Sequence, residues 1–372
     1  MKVEQLRLEH YRNLEPGVLR PCEGVNVIYG SNAQGKTNLL EAVWLFTGGR
    51  SFRGSKDGEL IAFDEERAEL TMDFFAQERQ QQAKVTIANG KRAAVLNGVP
   101  KASASALIGS FCAVVFAPVH LSLIKEGPAE RRRFLDAAIC QEKPAYAGLI
   151  SRYSHTLSQR NALLKDVSYH AELLDTLEIW EEKLARYGGS IAGERLRYLS
   201  GLSKEAQEVY RGISEGKERF SARYRSTFFE EGGDARQLAG QLRQKLFASR
   251  REDLAMGFTG CGPHRDDVEI TIDGKSARAF GSQGQQRSCV LALKLAEASM
   301  LRRSLGEKPV VLLDDVMSEL DVSRQDYLLN HIGGWQVFIT CCEPDAILRM
   351  ASGAAFEIDK GRFQKEAPGP VP

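Results

Sequence analysis

Eight residues, Gly30-Ser-Asn-Ala-Gln-Gly-Lys-Thr37, constrain this chain more than any other stretch. They follow a short apolar run, Val25-Asn-Val-Ile-Tyr29, and precede a helix-like one, Asn38-Leu-Leu-Glu-Ala-Val-Trp-Leu-Phe46. Strand, glycine loop, helix is the context in which this pattern has structural meaning. Gly30 and Gly35 permit a tight turn, so the backbone N–H groups of Ser31, Asn32, Ala33 and Gln34 can converge on one phosphate. The helix that follows turns its positive end to the same anion. Lys36 would reach the β- and γ-phosphates, and the Thr37 hydroxyl would ligate Mg²⁺. An ordinary strand-to-helix turn would not need this lysine and threonine.

A second element lies near the other end. Pro309-Val-Val-Leu-Leu-Asp-Asp315 reads as a strand buried on both faces that ends in two carboxylates. Asp314 would hold Mg²⁺, and Asp315 would orient or deprotonate an attacking water. Val316-Met-Ser-Glu-Leu-Asp321 adds acidic groups beyond the strand's carboxyl end, where ligands gather in such sheets. Taken alone, an Asp-Asp pair is more often a helix cap and its neighbour. A third element, Phe280-Gly-Ser-Gln-Gly-Gln-Gln-Arg-Ser288, opens an apolar helix. Ser282 and Gly284 sit where that helix begins and can offer a hydroxyl and bare N–H groups to an anion. A second anion-binding turn implies a second phosphate partner or one nucleotide shared between two copies.

The order of these elements resembles the ABC-type ATPase heads of the SMC class. A closer resemblance is to the RecF family of bacterial DNA-repair ATPases. It is carried by Tyr11-Arg-Asn-Leu14, Arg131-Arg-Arg-Phe-Leu-Asp136, Gly262-Pro-His-Arg-Asp-Asp267, Gly281-Ser-Gln-Gly-Gln-Gln-Arg287, Leu312-Leu-Asp-Asp-Val-Met-Ser-Glu-Leu-Asp321 and Gln336-Val-Phe-Ile-Thr340. The resemblance implies an α/β fold: an ABC-type head of mixed sheet with a P-loop core, and an inserted α-helical arm. It implies that Arg12 and Asn13 lie near ATP. It places Ser282, Gln283, Gly284, Gln285 and Gln286 on the γ-phosphate held by a partner subunit. Ser318 to Asp321 would cross the dimer interface, and Thr340 would stand where other ABC ATPases carry a switch histidine. The implied activity is weak, DNA-stimulated ATP hydrolysis by an ATP-dependent homodimer. The implied role is loading of recombinase at single-strand gaps, on single-stranded and gapped duplex DNA, with RecR and RecO as partners. Two departures stand out. Val119 and His120 follow Ala-Pro where relatives usually carry an acidic pair, and Cys341-Cys342 follows Thr340 where threonines are more usual.

Composition places limits on this reading. Charged residues make up 27% of the 372, at a net charge of +1, so any DNA site is a local patch or is built by assembly. No apolar run reaches ~18 residues, and the first residues lack a signal peptide's apolar region. The expectation is a cytoplasmic, nucleoid-associated enzyme. Seven scattered cysteines without a Cys-x-x-Cys pair read as free thiols.

The chain reads as an interrupted head: 1–130 with the P-loop, a helical arm over 131–254, a second head segment over 255–365, and a disordered tail over 366–372. Segments around 69–75 and 84–88, with Asn89-Gly90 and Asn97-Gly98, predict hairpins; Asp273-Gly274 predicts another. Leu173, Leu177, Trp180, Leu184, Tyr187, Ile191, Tyr198, Leu202, Val209 and Ile213 form a helical stripe of roughly 60 Å. Arg195 interrupts it and Gly188-Gly189 weakens it. The arm either merely packs or contacts DNA or a partner. Arg131-Arg-Arg133, Arg250-Arg251 and Arg302-Arg303 read as solvated faces before they read as DNA sites. His264 and Arg265 belong to a buried polar turn or to nucleotide or interface geometry. Two other functions stay open: an ABC transporter ATPase subunit, and a DNA-bound scaffold with a weak nucleotide site. Ser-Gln-Gly-Gln-Gln in place of Ser-Gly-Gly-Gln speaks against the first, and an intact Lys36, Thr37 and Asp314 against the second.

Overall fold

Apolar runs and alternating runs sort this chain into two kinds of sheet. The computed structural model describes residues 1–167, 170–344, 347 and 353–365. The chain divides into two compact units, Met1–Leu121 with Val290–Pro372, and Ser122–Cys289.

The first unit holds two six-stranded sheets. One is antiparallel and contains β1 (Lys2–Glu9), β2 (Gly17–Leu19), β4 (Arg67–Ala76), β5 (Arg79–Ala88), β6 (Lys91–Leu96) and β7 (Val99–Lys101), in the order β2-β1-β4-β5-β6-β7. Every second residue of β4 is buried, as a sheet with one wet face requires. The expected tight turns form, with positive φ at Asn89-Gly90 and Asn97-Gly98. A further turn escaped the sequence reading: Gln77 and Glu78 join β4 to β5 with φ of 54° and 59° and no glycine. The Gln77 N–H donates to the Glu307 carboxylate at 3.1 Å, which anchors the strained turn.

The other sheet has the order β15-β14-β3-β13-β12-β8. Its strands are β3 (Val25–Tyr29), β8 (Ala113–Phe116), β12 (Val310–Leu313), β13 (Val337–Cys341), β14 (Gly353–Asp359) and β15 (Arg362–Lys365). All pairings are parallel except β14 with β15. All four residues of β8 and of β12 are buried, as expected of continuous apolar strands. Helix α1 (Lys36–Leu45) follows β3, and α10 (Val322–His331) follows β12. One core joins Leu6, Leu70, Met72 and Phe74 of the antiparallel sheet to Ile28, Phe338, Leu39 and Val43.

The second unit is mainly helical: α2 (Ser122–Lys125), α3 (Pro128–Glu142), α4 (Ala145–Asp166), α5 (Leu177–Ile213), α6 (Ala235–Ala248), α7 (Arg250–Met256) and α8 (Ala277–Phe280). Helix α9 (Gln283–Leu305) begins in this unit. The stripe of the sequence reading is the buried side of α5 at Leu177, Leu184, Ile191, Tyr198, Leu202 and Val209, with Trp180 and Tyr187 half-buried at its edge; the Leu173 side chain lies outside the described residues, as does 366–372. Two expectations about α5 are corrected. Gly188-Gly189 leaves α5 unbroken, and Gly189 offsets its cost to the helix by admitting α6: a Cβ there would lie 2.4 Å from the Ala239 nitrogen. Arg195 does not interrupt the stripe but is buried in it, with both guanidinium edges used. It pairs twice with Asp136 at 2.9 Å and donates to the Pro263 carbonyl at 2.6 Å.

A strand absent from the sequence reading, β9 (Phe220–Arg225), pairs antiparallel with β10 (Asp267–Ile272), which turns at Asp273-Gly274 into β11 (Lys275–Ser276). This pairing ties residues beyond 254 to the helical segment, so the unit boundary falls at Cys289 rather than at 254. Arg131 is likewise no solvated residue. It is buried and pairs with Asp267 at 2.7 and 3.0 Å, while Arg132 donates to the Asp266 carbonyl at 2.7 Å. Arg250 pairs with buried Glu181 at 2.6 Å. The Gly262–Asp267 segment is a buried polar turn. Asp266 accepts from the Tyr224 hydroxyl at 2.8 Å and the Thr227 N–H at 2.7 Å. Burial pushes the His264 imidazole down to about 4. Its Nδ1 meets the Tyr153 hydroxyl at 2.7 Å. Among the described residues no helix is long and apolar enough to cross a membrane.

Candidate nucleotide site

The glycine loop leaves β3, a strand with parallel neighbours on both sides, and enters α1. Gly30 has φ of 149°, and a Cβ there would lie 2.3 Å from the Ile358 carbonyl oxygen. Only glycine lets β14 close against the loop at that point. Other strands and loops hold the remaining loop residues. The Asn13 amide donates to the Ala33 carbonyl at 3.1 Å, the Lys360 N–H donates to Gln34 at 2.5 Å, and the Cys342 thiol donates to Asn32 at 3.3 Å. The Lys36 ammonium, on a side chain that is 5% exposed, arches back to the carbonyls of Gly30 at 2.7 Å and Ser31 at 3.2 Å.

The N-cap of α1 is Gly35, which has no side chain to satisfy the first-turn N–H groups, and that turn carries no acidic residue. A ten-residue helix with an uncapped amino end over a glycine loop is a fitting cradle for phosphate. The divalent cation also has fitting donors. Thr37 Oγ1 donates to Asp314 Oδ1 at 2.7 Å, and Thr340 Oγ1 donates to the same oxygen at 2.9 Å. Burial pushes the Asp314 carboxyl above its usual range. The hydrogen bonds from Thr37 and Thr340 oppose that rise, as does the charge of Arg53, while Asp315 adds to it. A buried carboxylate in this state gains from a hard cation beside it, and Thr37 and Asp314 are oxygen donors of the kind Mg²⁺ takes.

Asp315 follows with φ of 51°, its N–H donating to Thr340 Oγ1 at 2.8 Å. Thr340, fully buried at the end of β13, therefore holds both carboxylate-bearing residues through one hydroxyl. The next loop is fixed by the Gln325 amide, which donates to Met317 at 2.6 Å and Leu320 at 3.1 Å. Asp321 caps α10 by accepting from the Arg324 N–H at 2.9 Å.

The structure brings Gly30–Thr37, Asn13, Asp314, Asp315 and Thr340 together. Arg12, next to Asn13, is held by other groups. Its guanidinium is held by Glu41 at 2.7 Å, by Ser55 at 2.8 Å and by the Glu59 carbonyl at 3.2 Å. Glu41 is a hub that sequence reasoning missed: fully buried on α1, it also accepts from the Tyr11 hydroxyl at 3.1 Å and from Ser51. A lone carboxylate inside Leu39-Leu40-Glu41-Ala42-Val43 was the available signal. Arg53 was also missed. It donates to Asn38 at 2.8 Å, and Asn38 donates to Asn13, beside the loop. No local motif marks it, because the intervening loop folds back. Val119-His120 cannot supply an acidic function. The Ala117 N–H donates to His120 Nδ1 at 3.1 Å, and burial, with Lys294 adding, holds that imidazole well below its usual range.

In the second unit, Ser282 is the N-cap of α9. The Gln285 N–H donates to its hydroxyl at 3.2 Å, and its own N–H donates to Gln285 Oε1 at 2.8 Å, a reciprocal cap. Gln285 is further held by Glu218 at 2.7 Å, and Gln286 by the Ala277 carbonyl at 3.2 Å. Ser282 and Gln283 are exposed, and Gly284 is half-buried.

Comparison with known proteins agrees with this geometry. Residues 2–360 match the family model described as RecF/RecN/SMC N terminal domain. The chain is 38% identical over 371 residues to the DNA replication and repair protein RecF of Agathobacter rectalis, covering 98% of this chain and 99% of that one. It is 38% identical over 347 residues to RecF of Acetivibrio thermocellus, covering 93% and 94%. The solved structure of the recombination mediator protein RecF with ATP, in the RecFOR pathway, superposes with a TM-score of 0.92 at 39% identity, covering 98% of this chain and 97% of that one. An Smc head bound to the C-winged helix domain of ScpA matches with a TM-score of 0.56 at 18% identity, which speaks to fold alone.

Proposed function

We infer, from a chain that belongs to the RecF family of DNA replication and repair proteins, that it is an ATPase whose nucleotide joins two copies of itself on DNA. Membership removes the transporter alternative. One observation carries the mechanism: Thr37, Asp314, Asp315 and Thr340 form one hydrogen-bonded unit at the mouth of an uncapped helix.

The loop N–H groups and the first turn of α1 bind the β- and γ-phosphates, and Lys36 neutralises their charge. Thr37 and Asp314 would hold Mg²⁺, which when bound offsets the charge on the leaving phosphate oxygens. Asp315 positions water and takes its proton as the water oxygen bonds to the γ-phosphorus. The bond from that phosphorus to the β–γ bridging oxygen breaks, leaving ADP and phosphate. Ser282 and the amino end of α9 from a second copy complete the phosphate contacts, with Gln283 to Gln286 beside them. Hydrolysis removes the γ-phosphate they share, and the pair opens. Turnover is slow and stimulated by DNA, because the complete site exists only in the assembled pair. The substrates are single-stranded and gapped duplex DNA in the cytoplasm, at the nucleoid. The relative solved in the RecFOR pathway supports RecR and RecO as partners.

Mixing two inactive variants tests the shared site. Ser282→Arg should bind ATP as a monomer but fail to dimerise; Lys36→Ala should bind it weakly. A mixed pair keeps one complete composite site, so partial ATPase activity should return on mixing. Loss of ATP affinity by monomeric Ser282→Arg would overturn the trans arrangement.

A further inference from the structure

We propose that the exposed seam between α4 and α5 is a platform for single-stranded DNA, on which Trp180 and Tyr187 stack bases. The proposal rests on the DNA-binding reading above and adds where the strand lies. On α5, Trp180, Lys183 and Tyr187 are spaced i, i+3, i+7 and share one face. The Lys183 ammonium stands 5.2 Å from the centre of the Trp180 ring. The Arg186 guanidinium stands 5.1 Å from that of Tyr187, and Arg152 reaches the same ring from α4 at 5.7 Å. His155 and Gln159, three and seven residues beyond Arg152 on α4, are exposed.

The seam is positive in a chain whose net charge is only +1. The side chains of Arg152, Lys183 and Arg186 have no carboxylate partner among the described residues. Glu181 faces inward, onto Arg160 and Arg250. Glu182, exposed and four residues before Arg186, sits beside that guanidinium but falls about 200° round the helix from Trp180, at ~100° per residue, so the cations on the ring face itself are Lys183 and Arg152. Both rings are half-buried, so each has a fixed position and an open part.

Cations with interleaved aromatics match a strand whose bases are free. Stacking is indifferent to sequence, and guanidinium planes serve as stacking surfaces as well as phosphate donors. The seven-residue spacing of the rings spans ~10 Å, the length of about three stacked nucleotides at ~3.4 Å each. A duplex has its bases already stacked and would use the cations alone.

The test uses the full chain and a 20-mer of deoxythymidine. Trp44 and Trp335 are 7% and 5% exposed, so quenching of tryptophan fluorescence reports on Trp180. The oligonucleotide should quench, and Trp180→Leu should abolish the quenching. Leucine keeps an apolar contact with Leu163, Leu164 and Leu177, so that variant folds. Tyr187→Ala should weaken single-strand affinity about ten-fold. Lys183→Gln and Arg152→Gln should each lower the salt slope by about 0.7. ATP binding should be unchanged in all four variants. Wild-type DNA binding without quenching, or variants that bind like wild type, overturns the platform alone. Equal loss of duplex and single-strand binding overturns stacking. Quenching by a poly-glutamate peptide but not by DNA would assign the seam to an acidic protein segment and overturn the proposal. Absence of any DNA binding by wild type, with or without ATP, would instead sink the DNA-binding reading itself.

Discussion

The hydroxyl of Thr340 donates to the Asp314 carboxylate at 2.9 Å, and it also accepts the N–H of Asp315 at 2.8 Å. One buried hydroxyl thus sets the spacing of two carboxylates from a neighbouring strand. Thr340→Val keeps the shape and removes both bonds, leaving the Asp315 N–H without a partner. The expected cost is about 1–3 kcal/mol of stability, with a raised Mg²⁺ requirement for hydrolysis. Thr340→Ser should restore both. A melting curve and a Mg²⁺ titration check this; a valine variant identical to wild type would remove Thr340 from the site.

Lys36→Ala should weaken ATP binding about 10- to 150-fold, since a desolvated ammonium on phosphate contributes on the order of 1.5–3 kcal/mol. Lys36→Arg should retain some binding and little turnover, because a planar fork replaces a compact charge. Equilibrium binding of a fluorescent nucleotide separates the two, and normal turnover in both would refute the loop's role.

Asp315→Asn isolates chemistry from binding. Asparagine tolerates the left-handed backbone that residue 315 adopts, so the fold should be unchanged. Nucleotide and Mg²⁺ should still bind, hydrolysis should fall at least about 100-fold, and the ATP-bound dimer should accumulate in sedimentation. Normal turnover would point to Glu319 or Asp321 instead.

Gly189→Ala should destabilise the helical unit by about 2–3 kcal/mol, despite the ~1 kcal/mol that alanine gains in a helix. The added carbon would lie 2.4 and 2.7 Å from backbone atoms of α6. Gly240→Ala, with nothing within 4 Å, is the internal control and should stabilise. Matched denaturant titrations decide; equal effects would mean α5 and α6 are not in close contact.

His264 makes stability depend on pH in a stated direction. Its folded value is depressed from 6.5 to about 4, so between those values the unfolded chain binds a proton that the native one does not. Stability from this group is therefore full above pH ~6.5 and falls as pH drops toward 4. The loss is about 1–2 kcal/mol, allowing for solvent that reaches the half-buried ring. His264→Gln should flatten the change in melting temperature between pH 7.5 and pH 5; an unchanged slope would show that His264 takes up its proton without unfolding.

Features set by local chemistry were legible in the sequence. Gly30 to Thr37 must turn, bind and coordinate within eight residues, and Val310-Val-Leu-Leu313 must be buried on both faces, so the meeting of Thr37 with Asp314 could be anticipated. Asn89-Gly90 announces its own turn. Gln77-Glu78 does not, because that turn depends on Glu307, far along the chain. Arg53 reaches Asn38 through a loop whose path no periodicity encodes. Strand β9 hid in a charged segment, although Phe220, Ala222 and Tyr224 do alternate. Gly188-Gly189 was read as weakness because a single helix shows only the cost of glycine, while its benefit lies on the helix opposite.

The strand order has a consequence for synthesis on the ribosome. Strand β3 lies between β13 and β14, and β8 pairs with β12 alone within its sheet. A nascent chain that has made the glycine loop has made neither of the strands that flank β3. Val25–Tyr29 must wait, unpaired, until residues past 337 emerge, and such distant pairings close slowly. Thr37, which donates to Asp314, is therefore translated long before its acceptor exists. A chain cut short before residue 337 keeps the loop's sequence but lacks Thr340, whose hydroxyl holds Asp314, and both strands that hold β3.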